Sequence, residues 1–245
     1  MTAEQPLLGK VAFVTGGARR IGRAIALELA WAGADLAITY RKSPTEALET
    51  VEKIEAMGRR AAALECDVRS ELSVRAAISS AAHGFGRLDI VVNNAGLFET
   101  APLEQLSVDQ WDAVFETNVR GPFLVAREAL PHLKANRGRI INLGSLGGIR
   151  PWAGHAHYCA SKSALHMLTM TMAKAWGPEV AVNCVAPGWI EMAEEEGAVS
   201  ERFASKTPLN RNGKARDVAQ AVLYFAASAS FITGQILTVD GGLGL

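Results

Sequence analysis

The sequence predicts an α/β fold of the doubly wound kind, a single parallel seven-stranded sheet with helices on both faces. Three observations predict it. Short, nearly continuous apolar runs recur along the 245 residues, as strands buried on both faces require. Longer stretches with a helical apolar period separate them. A glycine-rich turn also joins the first apolar run to the first helical stretch.

The runs expected as strands are Val11–Val14, Leu36–Ile38, Ala61–Leu64, Ile90–Val92, Ile140–Leu143, Val180–Val185 and Ile236–Val239. Helical patterns occupy 20–32, 44–57, 70–84, 107–135, 158–176 and 215–228. The fifth ends at Gly177-Pro178, a pair that stops helices. Strict alternation of the two patterns gives a doubly wound sheet. No repeat, linker or low-complexity stretch divides the chain, so residues 1–245 are expected to form one domain. The exception to the rhythm is the stretch near 189–212, which follows Pro187-Gly188 and carries the acidic run Glu194-Glu195-Glu196. A long insertion at the carboxyl edge of a sheet is where a substrate lid would sit.

The first turn reads Thr15-Gly16-Gly17-Ala18-Arg19-Arg20-Ile21-Gly22. A strand, a glycine turn and a helix N-terminus bring backbone N–H groups onto a pyrophosphate. At the end of the second strand, roughly 20 residues on, an NAD site places an acid for the ribose 2′-hydroxyl. This chain has Arg41-Lys42-Ser43 there, with Arg19 and Arg20 in the turn. Cations and a hydroxyl suit a 2′-phosphate, so NADP(H) is the expected dinucleotide.

Ser145 ends the fifth strand, and Tyr158-Cys159-Ala160-Ser161-Lys162 opens the following helix. Tyrosine and lysine at i and i+4 share a helix face, so an ammonium can sit near the phenol. A tyrosine titrates near pH 10 when unperturbed, and a neighbouring cation is expected to lower that value. Such a tyrosine can donate a proton to a carbonyl oxygen, or take it back, while Ser145 holds the same oxygen.

Together these residues resemble the classical short-chain dehydrogenase/reductase family. The ordered matches are Thr15-Gly16…Gly22, Asp67-Val68, Asn93-Asn94-Ala95-Gly96, Asn118, Ser145, Tyr158, Lys162, Pro187-Gly188 and Asp240-Gly241-Gly242. The stretch from Ile232-Thr233-Gly234-Gln235 to the terminal glycines is most similar to the 3-oxoacyl-carrier-protein reductase-like branch. One departure is Arg20, where the family has a second glycine. Pteridine reductases share that arginine, but they usually carry an acid where this chain has Ser145. The resemblance implies a Rossmann sheet, a carbonyl/alcohol substrate and a homotetramer. It makes Asn118, Ser145, Tyr158 and Lys162 the catalytic set, with Asn118 anchoring a water that links the lysine to solvent. Lys162 would also bond the nicotinamide ribose. Gly16, Arg19, Arg20, Ile21, Gly22 and Arg41 would hold the phosphates, and Asp67 and Val68 would meet the adenine. Asn94, Ala95 and Gly96 would lie along the adenosine ribose, with Pro187, Gly188 and Ile190 beside the nicotinamide.

Composition excludes other classes. Lys plus Arg and Asp plus Glu are both 25, so no net charge advertises nucleic acid or an anionic membrane. Cys66, Cys159 and Cys184 are odd in number and unclustered, which argues against a disulfide framework and suits a cytoplasmic location. Cys159 reads as a small packed side chain rather than a nucleophile. Met1–Lys10 lacks the apolar core of a signal peptide, and Ala219–Val239 is too interrupted to span a membrane. His155 and His157 have no further ligand at metal spacing, so no metal is expected. Trp152 and Trp189 could wall an apolar or ring-shaped substrate. Leu243-Gly244-Leu245 forms an apolar end better buried than wet, mild support for an oligomer. A pteridine reductase-like activity and a silent NADP(H)-binding scaffold are the rival readings. A scaffold would be expected to have lost one of Ser145, Tyr158 or Lys162, and all three are present.

Overall fold

The computed structural model of the chain describes residues 5–191, 203–227 and 231–245. Each apolar run becomes a strand: β1 (Val11–Val14), β2 (Asp35–Tyr40), β3 (Ala61–Glu65), β4 (Ile90–Asn93), β5 (Arg139–Leu143), β6 (Ala181–Pro187) and β7 (Ile236–Val239). They form one parallel sheet in the order β3-β2-β1-β4-β5-β6-β7. The winding reverses between β1 and β4, which leaves a crevice at the carboxyl ends of those strands.

Alternate strand residues face opposite layers, because side chains in a strand have a period of two. Ala12, Val14, Leu36, Ile38 and Val92 pack in one layer with helices α1 (Arg20–Trp31), α2 (Pro44–Glu55) and α7 (Ala215–Ala227). Val11, Phe13, Ala37, Val91 and Ile140 pack in the other with α3 (Glu71–Phe85), α5 (Gly121–Asn136) and α6 (Ala156–Trp176). The expected two-faced sheet is therefore what forms. No described helix is long and apolar enough to cross a membrane.

The stretch expected as one helix over 107–135 is instead divided. α4 (Val108–Phe115) starts from a capping box between Ser107 and Gln110, which satisfies the first free backbone N–H groups. A π-helical turn, Glu116–Arg120, then leads into α5. Pro122, at the start of α5, has no N–H to give the preceding turn. A Cβ at Gly121 would come within 2.9 Å of Val68, so glycine lets this junction lie against the loop after β3.

Of the stretch near 189–212, Ile190 bridges in parallel to Gly213, and the Leu209 amide donates to the Gly241 carbonyl at 3.3 Å. The acidic run 194–196 lies outside the described residues.

Candidate active site

A cleft of about 630 Å³ opens at the switch between β1 and β4. Gly16, Arg19, Arg20, Ile21, Gly22, Arg41, Asp67, Val68, Asn94, Ala95, Gly96, Ser145, Tyr158, Lys162, Pro187, Gly188 and Ile190 all line it. Of the expected catalytic and cofactor-binding residues, only Asn118 does not line it. Asn118 is fully buried in the π-helical turn. Its Oδ1 accepts from the Leu97 amide at 2.8 Å, and its Nδ2 donates to the Leu97 carbonyl at 2.9 Å and to Ser161 Oγ at 3.0 Å. The side chain thus clips the loop after β4 to the helix that carries Tyr158 and Lys162.

The turn after β1 is tied across to the end of β4. Gly16 has a φ of +65°, a left-handed conformation that glycine adopts without strain. Thr15 Oγ1 accepts from the Asn94 and Ala95 amides, both at 3.0 Å. Asn94 Nδ2 donates back to the Thr15 carbonyl at 2.9 Å and the Gly16 carbonyl at 3.1 Å. The first turn of α1 carries no acid, so nothing offsets its positive end. Arg41, Lys42 and Ser43 at the end of β2 share the rim with Arg19 and Arg20. This glycine turn, open helix end and cationic rim fit a dinucleotide bearing a 2′-phosphate.

Arg20 itself has a φ of +53°, where side chains other than glycine are strained. Asp67 is gripped by Arg69, with bonds of 3.0 Å from Nε and 2.6 Å from Nη2. That hydrogen bonding, more than the nearby Arg41 charge, holds the carboxyl down at about 2.

At the other end of the cleft, Ser145 Oγ accepts from the Gly147 amide at 3.0 Å. Lys162 is buried, and its Nζ donates to the Leu143 carbonyl at 2.7 Å while lying 5.7 Å from the centre of the Tyr158 ring. Burial draws the lysine down to about 8. The lowered tyrosine pKa expected from the sequence is not what this geometry gives. Burial raises the Tyr158 phenol, opposed by a hydrogen bond with Ser145, because withdrawal from water penalises phenolate. A phenol held in its protonated form is the form that can donate.

Three features around the site were not singled out by role from the sequence. His166, one turn beyond Lys162, accepts from the Ser145 amide through Nε2 at 3.4 Å. A Cβ on Gly144 or Gly148 would meet its ring at 2.3 Å or 2.6 Å, so the imidazole requires glycine at both positions. Asn93, Asn142 and Thr169 form a buried chain with bonds of 2.9 Å and 2.8 Å behind the cleft. Phe98 meets Tyr158 edge-on, with ring centres 4.8 Å apart. Its only cue in the sequence was its place two residues after Asn94-Ala95-Gly96.

The two loop histidines have separate surroundings. His155 stacks on Phe98, whereas His157 is fully buried with neither ring nitrogen hydrogen-bonded among the described residues. All three cysteines are free, and burial pushes the Cys184 thiol up to about 12. No group of three or more potential metal ligands occurs among the described residues.

A glycine turn, a basic rim and a serine–tyrosine–lysine set, gathered at the switch point of a doubly wound sheet, define an oxidoreductase of the Rossmann type. Comparison with known proteins narrows the class. Residues 16–244 match the family model described as enoyl-(acyl carrier protein) reductase. A hydroxynaphthalene reductase of Aspergillus fumigatus is 37% identical over 251 residues, covering 95% of this chain and 92% of that protein. The 3-oxoacyl-(acyl-carrier-protein) reductase of Staphylococcus aureus is 37% identical over 241 residues, covering 96% and 98%. A Burkholderia cenocepacia short-chain dehydrogenase, solved in complex with NADP, superposes with a TM-score of 0.93 at 42% identity, covering 98% of this chain and all of that one. The chain belongs to the classical short-chain dehydrogenase/reductase family and is similar to its 3-oxoacyl-carrier-protein reductase-like members.

Proposed function

We propose that the protein is an NADP(H)-dependent reductase that interconverts a small-molecule carbonyl compound and its alcohol. The observation that carries this reading is the convergence of Ser145, Tyr158 and Lys162 on one cleft whose far rim holds Arg19, Arg20 and Arg41. The solved relative that holds NADP supports the choice of dinucleotide.

When bound, the dinucleotide supplies the hydride. Ser145 holds the substrate oxygen, and Tyr158 donates a proton to it as the alcohol forms. Lys162 bonds the nicotinamide ribose and carries charge near the tyrosine, while Asn118 keeps the loop after β4 and the catalytic helix in register. Gly16, Ile21 and Gly22 receive the pyrophosphate, and Arg19, Arg20 and Arg41 face the 2′-phosphate. Asp67 and Val68 border the adenine, Asn94 to Gly96 the adenosine ribose, and Pro187, Gly188 and Ile190 the nicotinamide. The stretch near 189–212 serves as the lid of a single catalytic domain.

A homotetramer in the cytoplasm completes the reading. Trp111 on α4, Phe123 on α5 and Met167 on α6 are exposed apolar side chains that a second copy would cover. Light scattering at micromolar concentration should give four chains, and a monomer throughout would refute the assembly.

The activity is tested by following NADPH absorbance against a panel of ketones, 3-oxoacyl thioesters and pterins. Calorimetry with both dinucleotides tests the cofactor. Tighter binding of NAD(H) than of NADP(H) would overturn the dinucleotide assignment.

A further inference from the structure

The two curated relatives described above act, by name, on different chemistry. One reduces a fused-ring compound and the other a 3-oxoacyl chain, and both are 37% identical to this chain. Relatedness therefore does not choose between the two substrates. The walls of the cleft around Tyr158 do.

Four rings close a cycle there. Phe98 meets Tyr158 edge-on at 4.8 Å. His155 stacks on Phe98 at 4.7 Å with 22° between the planes. Trp152 lies edge-on to His155 at 6.1 Å and nearly parallel to Tyr158, at 18° and 6.3 Å. The cycle is fastened at two points. His155 Nδ1 lies 3.1 Å from the Glu99 carbonyl, which can only accept, so that nitrogen donates and the ring is held. A Cβ on Gly147 would stand 3.4 Å from Trp152 Cε3 and 3.4 Å from Ser145 Oγ, so the indole is seated against the Ser145 turn. A second aromatic pair, Trp189 stacked on Phe203 at 4.2 Å and 7°, brings another indole to the same cleft.

Charge is distributed unevenly along the cleft. Among the described lining residues, the arginines and Lys42 belong to the β1, β2 and β3 ends. Among the described lining residues, the cation beside Tyr158 is Lys162, which is already bonded to the Leu143 carbonyl. Phe98 is exposed despite its ring contacts, so the part of its ring not stacked on His155 is accessible to a ligand.

From this arrangement we propose that the substrate is a neutral, planar ring ketone, aromatic or fused-ring, and that Phe98 and Trp152 determine this specificity. The inference rests on the reductase reading above and extends it to a substrate class. A flat rigid ring gains face and edge contacts with Phe98 and Trp152 while losing almost no internal freedom. A flexible acyl thioester would lose several rotors on binding, and its amide-bearing arm would meet rings rather than hydrogen-bond partners.

The test is steady-state kinetics with NADPH, comparing 2-tetralone as the bicyclic ketone with acetoacetyl-N-acetylcysteamine as the acyl thioester. The wild-type protein should favour the ketone in kcat/KM by about tenfold or more. Phe98→Ala and Trp152→Ala should each reduce the ketone-to-thioester selectivity by about tenfold, chiefly through KM for the ketone. Phe98→Leu keeps apolar bulk without a ring and should lose selectivity too. NADPH affinity by calorimetry shows that each variant remains folded. A wild-type preference for the thioester, or variants that leave the ratio unchanged, would overturn the substrate class and leave the reductase reading intact. A protein that binds NADPH but reduces neither compound would overturn the substrate class, and inertness towards the whole panel above would overturn the reductase reading as well.

Discussion

His166 Nε2 accepts the backbone N–H of Ser145 at 3.4 Å, placing a buried imidazole directly beneath the serine turn. An amide nitrogen only donates, so Nε2 must carry a lone pair and the ring must be neutral. Burial first, and the charge of Lys162 second, hold His166 at about 4 instead of its usual 6.5.

That value makes stability depend on acid. Between pH 6.5 and about 4 the unfolded chain takes up a proton that folded His166 refuses, so its contribution is present above 6.5 and is lost as pH falls through 4. The full loss is about 3 kcal/mol. Denaturant melts of wild type and His166→Gln across this window should show the variant's stability declining less steeply. Parallel profiles would mean that the ring is not held neutral.

Lys162 has the same sign of linkage, but its window lies above neutral pH. Its folded pKa of about 8 lies below the usual 10.5, so the contribution it would make is fully present only above 10.5 and is lost as pH falls through 8. Near neutral pH the buried ammonium therefore costs the fold stability. Lys162→Met should raise stability at pH 7 by about 1–2 kcal/mol, after allowing for the lost bond to Leu143. The gap between variant and wild type should narrow as pH rises from 8 towards 10. Turnover should fall and NADP(H) affinity should weaken. Melts at two pH values and calorimetry read both effects.

Tyr158→Phe keeps the ring contacts and removes the proton. Turnover should collapse by roughly 10²–10⁴-fold with NADPH still bound. Ser145→Ala should slow the chemical step with little effect on dinucleotide affinity. Near-wild-type turnover in Tyr158→Phe would make the tyrosine a bystander.

Arg20 occupies a left-handed conformation at the mouth of the glycine turn. Arg20→Gly should relieve about 1 kcal/mol of backbone strain while weakening NADP(H) more than NAD(H). Thermal melts and calorimetry with the two dinucleotides separate the effects. Equal losses for both dinucleotides would remove Arg20 from 2′-phosphate recognition.

The sheet was legible because its five inner strands are largely buried and read as unbroken apolar runs, and the half-exposed edge strands β3 and β7 still carry mainly apolar residues. The cleft was legible because glycines, a basic cluster and the Tyr158–Lys162 pair are local patterns. What escaped depended on long-range packing. His166 looks like any helical residue until the chain brings Gly144 and Gly148 against it. Asp67 was expected to meet adenine and does line the cleft, but its carboxylate is engaged by Arg69 two residues on. The sign of the Tyr158 shift was missed because adjacency to lysine can be read from spacing, whereas desolvation cannot. The division of 107–135 was missed because a widened turn keeps the apolar pattern on both sides.

That widened turn, Glu116–Arg120, has a consequence for how the chain can vary in length. A π-helical turn closes over one more residue than an α-helical turn. Deleting one residue between 116 and 120 would therefore let α4 and α5 merge into a regular helix. The repaired backbone would have better hydrogen bonds, yet everything on one side would rotate by about 100° relative to the other. Asn118 would leave Leu97 and Ser161, or Gly121 would leave Val68. Here the irregular spacing is what holds the site together, and a length change that tidies the helix would unfasten the loop after β4 from the helix that carries Tyr158.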